Sequence, residues 1–348
     1  MTTTLERAVV REPRLSAVGP NWYASVMATG IVANASATLP VQLPGQHRFG
    51  LLVWLLAVLL LAVVTAVTAA HWVQHPVAAR GHLRHPVLGS FYGAMPMALL
   101  TVGAGTWTFG PDVMGARAAL AVSWVLWSAG TAGGLACAVL VPRRAYTGVP
   151  FGGWLMPVVP PIVSAATGAL LVEQLSPGPA RDAMLASCYG MFAVSLLASA
   201  VVVWRIGRRV ATHGIGPVAL VPTLWIVLGP LGQSITAANG LATGAGGTPY
   251  AGAAQTFGTV YGLLAWGLAI LWLGTVAVVT LQARPAFGLP WWSFTFPVGT
   301  VVTGSSALAS RTGLAVFTWS AAGLYVGLVA AWAVVGALTT AHARQLLA

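Results

Sequence analysis

Ten stretches of about 20 apolar residues, parted by short charged or turn-rich breaks, govern what this chain can become, because about 20 is the length an α-helix needs to cross a bilayer's hydrocarbon core. They run over 20–38, 50–72, 86–107, 116–141, 150–172, 183–204, 217–239, 253–281, 290–309 and 313–338. Only 6% of the 348 residues are charged and 57% are hydrophobic, whereas a soluble domain carries about a quarter charged residues. A soluble enzyme is excluded. The pattern predicts an all-α integral membrane protein: an N-terminal cytoplasmic segment over 1–19, a ten-helix domain over 20–338 and a cytoplasmic tail over 339–348. Residues 1–19 hold Glu6, Arg7, Arg11, Glu12 and Arg14 but no apolar run, so no signal peptide is expected there. Cys137 and Cys188 lie in apolar stretches and suggest neither a disulfide framework nor a metal site.

The basic residues fix an orientation. All 16 are arginine, and the net charge is +11. In a soluble protein that excess would suggest nucleic acid; here it reads as loops facing anionic headgroups, with no nucleic-acid partner expected. With a cytoplasmic N-terminus and ten spans, the inside segments hold Arg7, Arg11, Arg14, Arg80, Arg84, Arg143, Arg144, Arg205, Arg208, Arg209, Arg284 and Arg344. The outside segments hold Arg48, Arg117, Arg181 and Arg311, accompanied by Asp112, Glu173 and Asp182. Twelve against four places both termini inside.

Proline divides the spans into two kinds. Each odd-numbered span opens with one (Pro20, Pro86, Pro150, Pro217, Pro290), at intervals of 66, 64, 67 and 73 residues, so a two-helix unit repeats five times. Four odd spans carry more inside: Pro96; Pro157, Pro160 and Pro161; Pro222 and Pro230; Pro297. The first has Thr29-Gly30 instead, and the even spans have none. Interior proline removes a backbone hydrogen bond and kinks a helix, and lipid cannot satisfy the freed carbonyl. Odd spans are therefore expected to form an inner ring and even spans an outer, lipid-facing one. The plainer alternative, that proline is simply frequent in membrane helices, leaves the odd/even split unexplained.

Polar residues point the same way. Asn21, Ser25, Thr29, Ser90, Thr101, Ser164, Thr223 and Thr300 lie on odd spans and, with Pro96, Pro160, Pro230 and Pro297, are the candidates to line a central pore. Cation pores usually display carboxylates, and proton relays use Asp, Glu or His. The odd spans lack all of these at mid-membrane, which leaves a neutral path between arginine-rich entrances that tolerates anions.

The segments GPNWYASVMATGIV (19–32), HPVLGSFYGAMPMALLTVGAG (85–105) and WWSFTFPVGT (291–300) resemble the tellurite-resistance/dicarboxylate transporter family. That family includes plant slow anion channels, a bacterial tellurite-resistance channel, and the fungal malate permease and sulfite efflux pump. The Asn-Trp-Tyr opening and the Trp-Trp…Phe-Pro element are most similar to the malate and sulfite branch. The resemblance implies five helical hairpins around a central pore, a homotrimer in the cell membrane, and small anions as substrates: C4-dicarboxylates such as malate, sulfite, tellurite or inorganic anions. It implies no cofactor. It also implies a pore-plugging phenylalanine on the ninth span, for which Phe294 and Phe296 compete. Two residues apart, they point about 200° from one another on a helix; Phe296, directly before Pro297, is the expected plug.

Two other readings stand beside the channel. A proton-coupled dicarboxylate or sulfite carrier is weakened by the lack of buried ionisable groups, although a protonated substrate could bring its own proton. A membrane metalloenzyme would draw on His71, His75, His82 and His85, since His71 and His75 share a helix face. No second histidine pair or acidic cluster completes such a site, and no nucleotide loop appears.

Overall fold

The computed structural model describes residues 18–346; the segment 1–17, with Arg7, Arg11 and Arg14, and residues 347–348 lie outside it. Every regular element described is helical. A 3-10 turn over Pro20–Trp22 runs into α1 (Tyr23–Thr38), followed by α2 (Gln46–Gln74) and a short α3 (Pro76–Arg84). A 3-10 stretch over Leu88–Gly93 leads into α4 (Ala94–Phe109), the single turn α5 (Pro111–Met114) and α6 (Ala116–Ala145). Another over Gly152–Leu155 precedes α7 (Pro160–Val172) and α8 (Pro179–His213). A longer one, Val218–Val227, precedes α9 (Leu228–Gly244) and α10 (Ala251–Ala283). The last, Leu289–Phe294, precedes α11 (Phe296–Thr312), α12 (Ala315–Ala341) and the short α13 (Ala343–Leu346).

Seven of these helices are long and apolar enough to cross a membrane, counting Leu88–Phe109 and Val218–Gly244 as continuous. The chain is a multi-pass membrane protein. At the other three expected spans, each short 3-10 stretch is followed by an α-helix of only 16 (α1), 13 (α7) or 17 (α11) residues.

Burial separates the elements into two sets. The most apolar windows of α2, α6, α8, α10 and α12 are 17–33% buried, whereas those of Leu88–Phe109 and Val218–Gly244 are 72% buried. The short helices α1, α7 and α11 bury most of their residues. Large apolar side chains stand exposed along the long helices, among them Leu52, Leu59, Leu264 and Leu271, a surface suited to lipid rather than water. The buried helices close on one another: α1 packs on α4, α4 on α7, α7 on α9, α9 on α11, and α11 on α1. Each long helix packs on the ring helix that precedes it, α2 on α1, α6 on α4, α8 on α7, α10 on α9 and α12 on α11.

A glycine sits in every seam of this ring. A β-carbon on Gly30 would press on Thr101, one on Gly93 on the Met156 carbonyl, and one on Gly152 on the Thr223 carbonyl. One on Gly232 would meet the Thr300 backbone, and one on Gly299 the Ile31 side chain. At Gly93, Gly152 and Gly232 the obstacle is main chain, which cannot rotate out of the way.

The prolines act differently from the expected mid-helix kinks. Pro96 and Pro230 are the third residues of α4 and α9, Pro160 and Pro161 the first two of α7, and Pro297 the second of α11. Each stands in the first turn of an α-helix that restarts after a 3-10 stretch, where backbone N–H groups have no intrahelical partner to lose. The ring helices are thus broken at a 3-10 to α junction, with proline fitting the break. Pro142 lies in the last turn of α6, which runs beyond the expected 141.

Candidate functional site

At these junctions the ring encloses a small cavity. Its walls are Ala24 and Met27, then Phe91 and Met97, Met156 and Val159, Ile226 and Gly229, and finally Trp292, Ser293, Phe296 and Pro297, so all five ring segments contribute. The interior is about 20 Å³, room for about one water molecule. Ser293 carries the one side-chain hydroxyl in the wall. An anion there would surrender its hydration without equivalent donors in return, a large electrostatic cost.

Phe296 is 3% exposed and belongs to this wall. Phe294 ends the 3-10 stretch, while Phe296 begins α11 after Thr295, whose φ of −104° and ψ of −75° mark the junction. Phe294 is half-buried and packs edge-on against Trp225 and Trp291, with ring centroids 5.1 and 5.5 Å away.

The other expected lining residues are dispersed. Pro297 borders the central cavity. Ser25 and Thr29 border an apolar groove of about 700 Å³ between α2 and α12, which they share with Trp22, Trp292 and Trp332. Pro96, Pro160, Pro230, Ser90, Thr101, Ser164, Thr223 and Thr300 are buried, and Asn21 is half-buried. Most hydroxyl protons are already spent on backbone. Ser25 donates to Trp22 O (2.8 Å), Thr29 to Ser25 O (2.8 Å) and Thr101 to Met97 O (2.7 Å). Ser164 donates to Pro160 O (3.1 Å) and Thr223 to Leu220 O (2.6 Å). Thr300 reaches Pro297 O (2.6 Å) and, across the seam, Leu228 O (3.2 Å). Apart from the Thr300–Leu228 contact, these bonds run back to carbonyls three or four residues earlier, so the hydroxyls are not free donors toward a lumen. Ser90 Oγ, buried with no partner among the described residues, is an exception.

The opposite end of the ring is wide and polar. A cavity of about 680 Å³ is lined by Thr38 of α1, Ala166, Ala169, Leu170 and Glu173 of α7 and its end, Thr236, Asn239, Gly240 and Thr243 of α9, Gln255 of α10, and Thr303, Ser306, Ala307, Ser310 and Arg311 of α11. Arg311 donates to Asn239 O (2.9 Å) and Thr243 Oγ1 (3.1 Å). Sequence reasoning placed Arg311 in a loop because the apolar run ends at 309, whereas α11 continues to Thr312. A signal existed: 303, 306, 307, 310 and 311 follow i, i+3, i+4, i+7, i+8, one face of a helix.

The histidines assemble no metal centre. His82 stacks on His71 (5.3 Å, 15°), His75 lies 6.0 Å from His71, and His85 Nδ1 accepts the N–H groups of Val87 and Leu88. Burial, with His71 and His85 nearby, lowers the His82 pKa. Among the described residues no group of three or more His, Cys, Asp or Glu is placed to hold a metal.

Comparison with known proteins agrees with the resemblance read from 19–32, 85–105 and 291–300. The pattern of the voltage-dependent anion channel family matches residues 17–340. A sulfite efflux pump of Arthroderma otae is 25% identical over 335 residues, covering 92% of this chain and 89% of that protein. One of Trichophyton rubrum is 25% identical over 340 residues, with the same coverage. An uncharacterized transporter of Methanocaldococcus jannaschii is 26% identical over 333 residues, 92% of either chain. All are transporters or channels, not enzymes.

Proposed function

This chain belongs to the voltage-dependent anion channel family, and from that premise we propose that it conducts small anions along the axis of the five-helix ring, closed at its narrowest point by Phe296. The observation that carries the reading is the narrow, apolar cavity to which every ring segment contributes a wall and Phe296 an aromatic ring. In this reading all ten helical segments span the membrane as five hairpins, the contrast in burial between ring and outer helices being its support. In the same reading both termini are cytoplasmic, which the arginine distribution supports. The 3-10 end then faces the cytoplasm and the polar cavity faces outward. The assembly is a homotrimer in the cell membrane, each copy with its own path.

A neutral path selects by diameter and by the cost of stripping hydration. Sulfite is the first substrate to test, because two relatives carry that activity in their names; malate, tellurite, chloride and nitrate follow. The purified protein in liposomes should pass at least one of these down its gradient, and Phe296→Ala should raise the basal rate. A protein that passes none of them refutes the reading. The word "pump" in the relatives' names favours a second reading, a proton-coupled carrier; it requires that an imposed pH gradient alone drive accumulation. For topology, single cysteines at positions 80 and 181 should react with impermeant reagents from opposite faces. Labelling of both from one face would exclude the ten-span arrangement.

A further inference from the structure

The polar cavity at the far end of the ring is chemically unlike the constriction, and Arg311 is its distinguishing group. We propose that Arg311 forms a binding site for small oxyanions at this mouth, with Glu173 on the same rim opposing it. The wall hydroxyls of Thr38, Thr243, Thr303 and Ser306 donate to backbone carbonyls, which leaves the guanidinium as the principal donor. The proposal rests on the reading of the ring axis as an anion path.

Three observations carry it. The cavity is about 680 Å³ against about 20 Å³ at the constriction, so it admits an anion with part of its water shell. Arg311 is half-buried in its wall, and both of its hydrogen bonds use the same nitrogen, Nη2, on neutral oxygens: Asn239 O and Thr243 Oγ1. No carboxylate forms an ion pair with it among the described residues. A guanidinium held by one nitrogen still offers its remaining N–H groups, and its fixed fork can meet two oxygens of one oxyanion, which the point charge of an ammonium does not do. Glu173 lines the same cavity, is exposed, and forms no ion pair with Arg311. It adds negative potential where an anion arrives. The two side chains thus set the field of the mouth in opposite senses, and protein walls confine that field.

A purely structural part for Arg311 has to be separated from this, since a cation in the last turn of α11 also suits the helix dipole and tethers α9. The test uses the full chain in liposomes and the concentration dependence of sulfite flux. Arg311→Gln should raise the half-saturating concentration about tenfold while changing the maximal rate much less, the loss expected for one charge-assisted contact. Arg311→Lys, which keeps the charge but not the fork, should restore part of the affinity, and Glu173→Gln should lower the half-saturating concentration. If Arg311→Gln does not fold, Arg311→Cys with Cys137 and Cys188 replaced by Ala allows the charge to be added afterwards. A cationic methanethiosulfonate at position 311 should then lower the half-saturating concentration, and an anionic one should raise it. Equal effects of the two reagents, or an unchanged half-saturating concentration in Arg311→Gln, overturn the site. If the wild-type protein passes no anion, the transport reading fails. The site is then decided by calorimetric binding of sulfite to detergent-solubilised protein: present in the wild type and Arg311→Lys and lost in Arg311→Gln if the site exists, unaffected by Arg311→Gln if it does not.

Discussion

The two ends of the five-helix ring differ in make-up: all five ring segments wall the narrow end, whereas α1, α7, α9 and α11, joined by Gln255 of α10, wall the wide one. At the 3-10 end, methionines, valine, isoleucine and two phenylalanines close to a space about one water wide. At the other, threonines, serines, asparagine and an arginine surround a cavity of about 680 Å³. The difference lies in which side chains front the lumen. Hydroxyls bond back to carbonyls at both ends, Thr223 to Leu220 O and Thr300 to Pro297 O at one, Thr303 to Thr300 O and Ser306 to Val302 O at the other. At the junctions apolar side chains face inward. Where α11 runs on regularly to Thr312, its face at 303, 306, 310 and 311 fronts the cavity.

The strongest way to break this contrast is to disturb the seam that holds the narrow end. Gly152→Ala drives a methyl into the Thr223 carbonyl and should cost about 3 kcal/mol or more, at the upper end for overpacking. Gly207→Ala on α8, where a β-carbon meets nothing within 4 Å, should instead stabilise by up to about 1 kcal/mol through helix propensity. Thermal unfolding of the two variants in detergent checks both signs, and equal effects would deny the ring its tight seams.

Next in size is the aromatic pair. Phe296→Ala removes a ring from the central wall and should raise basal anion flux by about tenfold or more, equivalent to lowering a barrier by about 1.4 kcal/mol. Phe294→Ala deletes the same atoms but removes a ring that packs edge-on against Trp225 and Trp291. It should lower stability by about 1–3 kcal/mol, less than for a fully buried ring, and leave basal flux near that of the wild type. A reversal of the two phenotypes would move the closure to Phe294.

The smallest effect expected is also the most discriminating about the hydroxyls. Thr300→Val keeps the shape but loses the bonds to Pro297 O and Leu228 O. It should cost about 1 kcal/mol with flux within about twofold of the wild type, a barrier change of about 0.4 kcal/mol. A large drop in flux would mean that the hydroxyl serves the anion rather than the backbone.

Much of this architecture was legible in the residues. The alternation of proline-bearing and proline-free runs separated the buried ring from the outer helices, because proline marks helices that need protein neighbours. The site was read less well. A proline in the first turn of a restarted helix and one in the middle of a continuous helix look alike in a string of apolar residues, so the junctions were invisible. The hydroxyls of Ser25 and Thr29 were assigned by residue type, yet they face the groove beside α12, where Trp332 Nε1 donates to Thr29 Oγ1. Arg311 was misplaced because a hydropathy boundary was taken for a helix end. The Phe294/Phe296 difference was readable in part, since neighbours two apart cannot share a direction.

The glycine seams bear on how such a path could open. Side chains give under load by hopping between rotamers; a main chain resting on a main chain has no such slack. A ring with three of its five seams joined that way resists dilating like an iris, because those seams would lose their van der Waals contact almost at once. On the proposed reading, what remains movable is the Phe296 ring. Rotamer hops take picoseconds to nanoseconds when unhindered, whereas collective helix motions take microseconds to milliseconds. Opening by Phe296 alone would therefore show a shallow temperature dependence, the signature of a hinge-free valve.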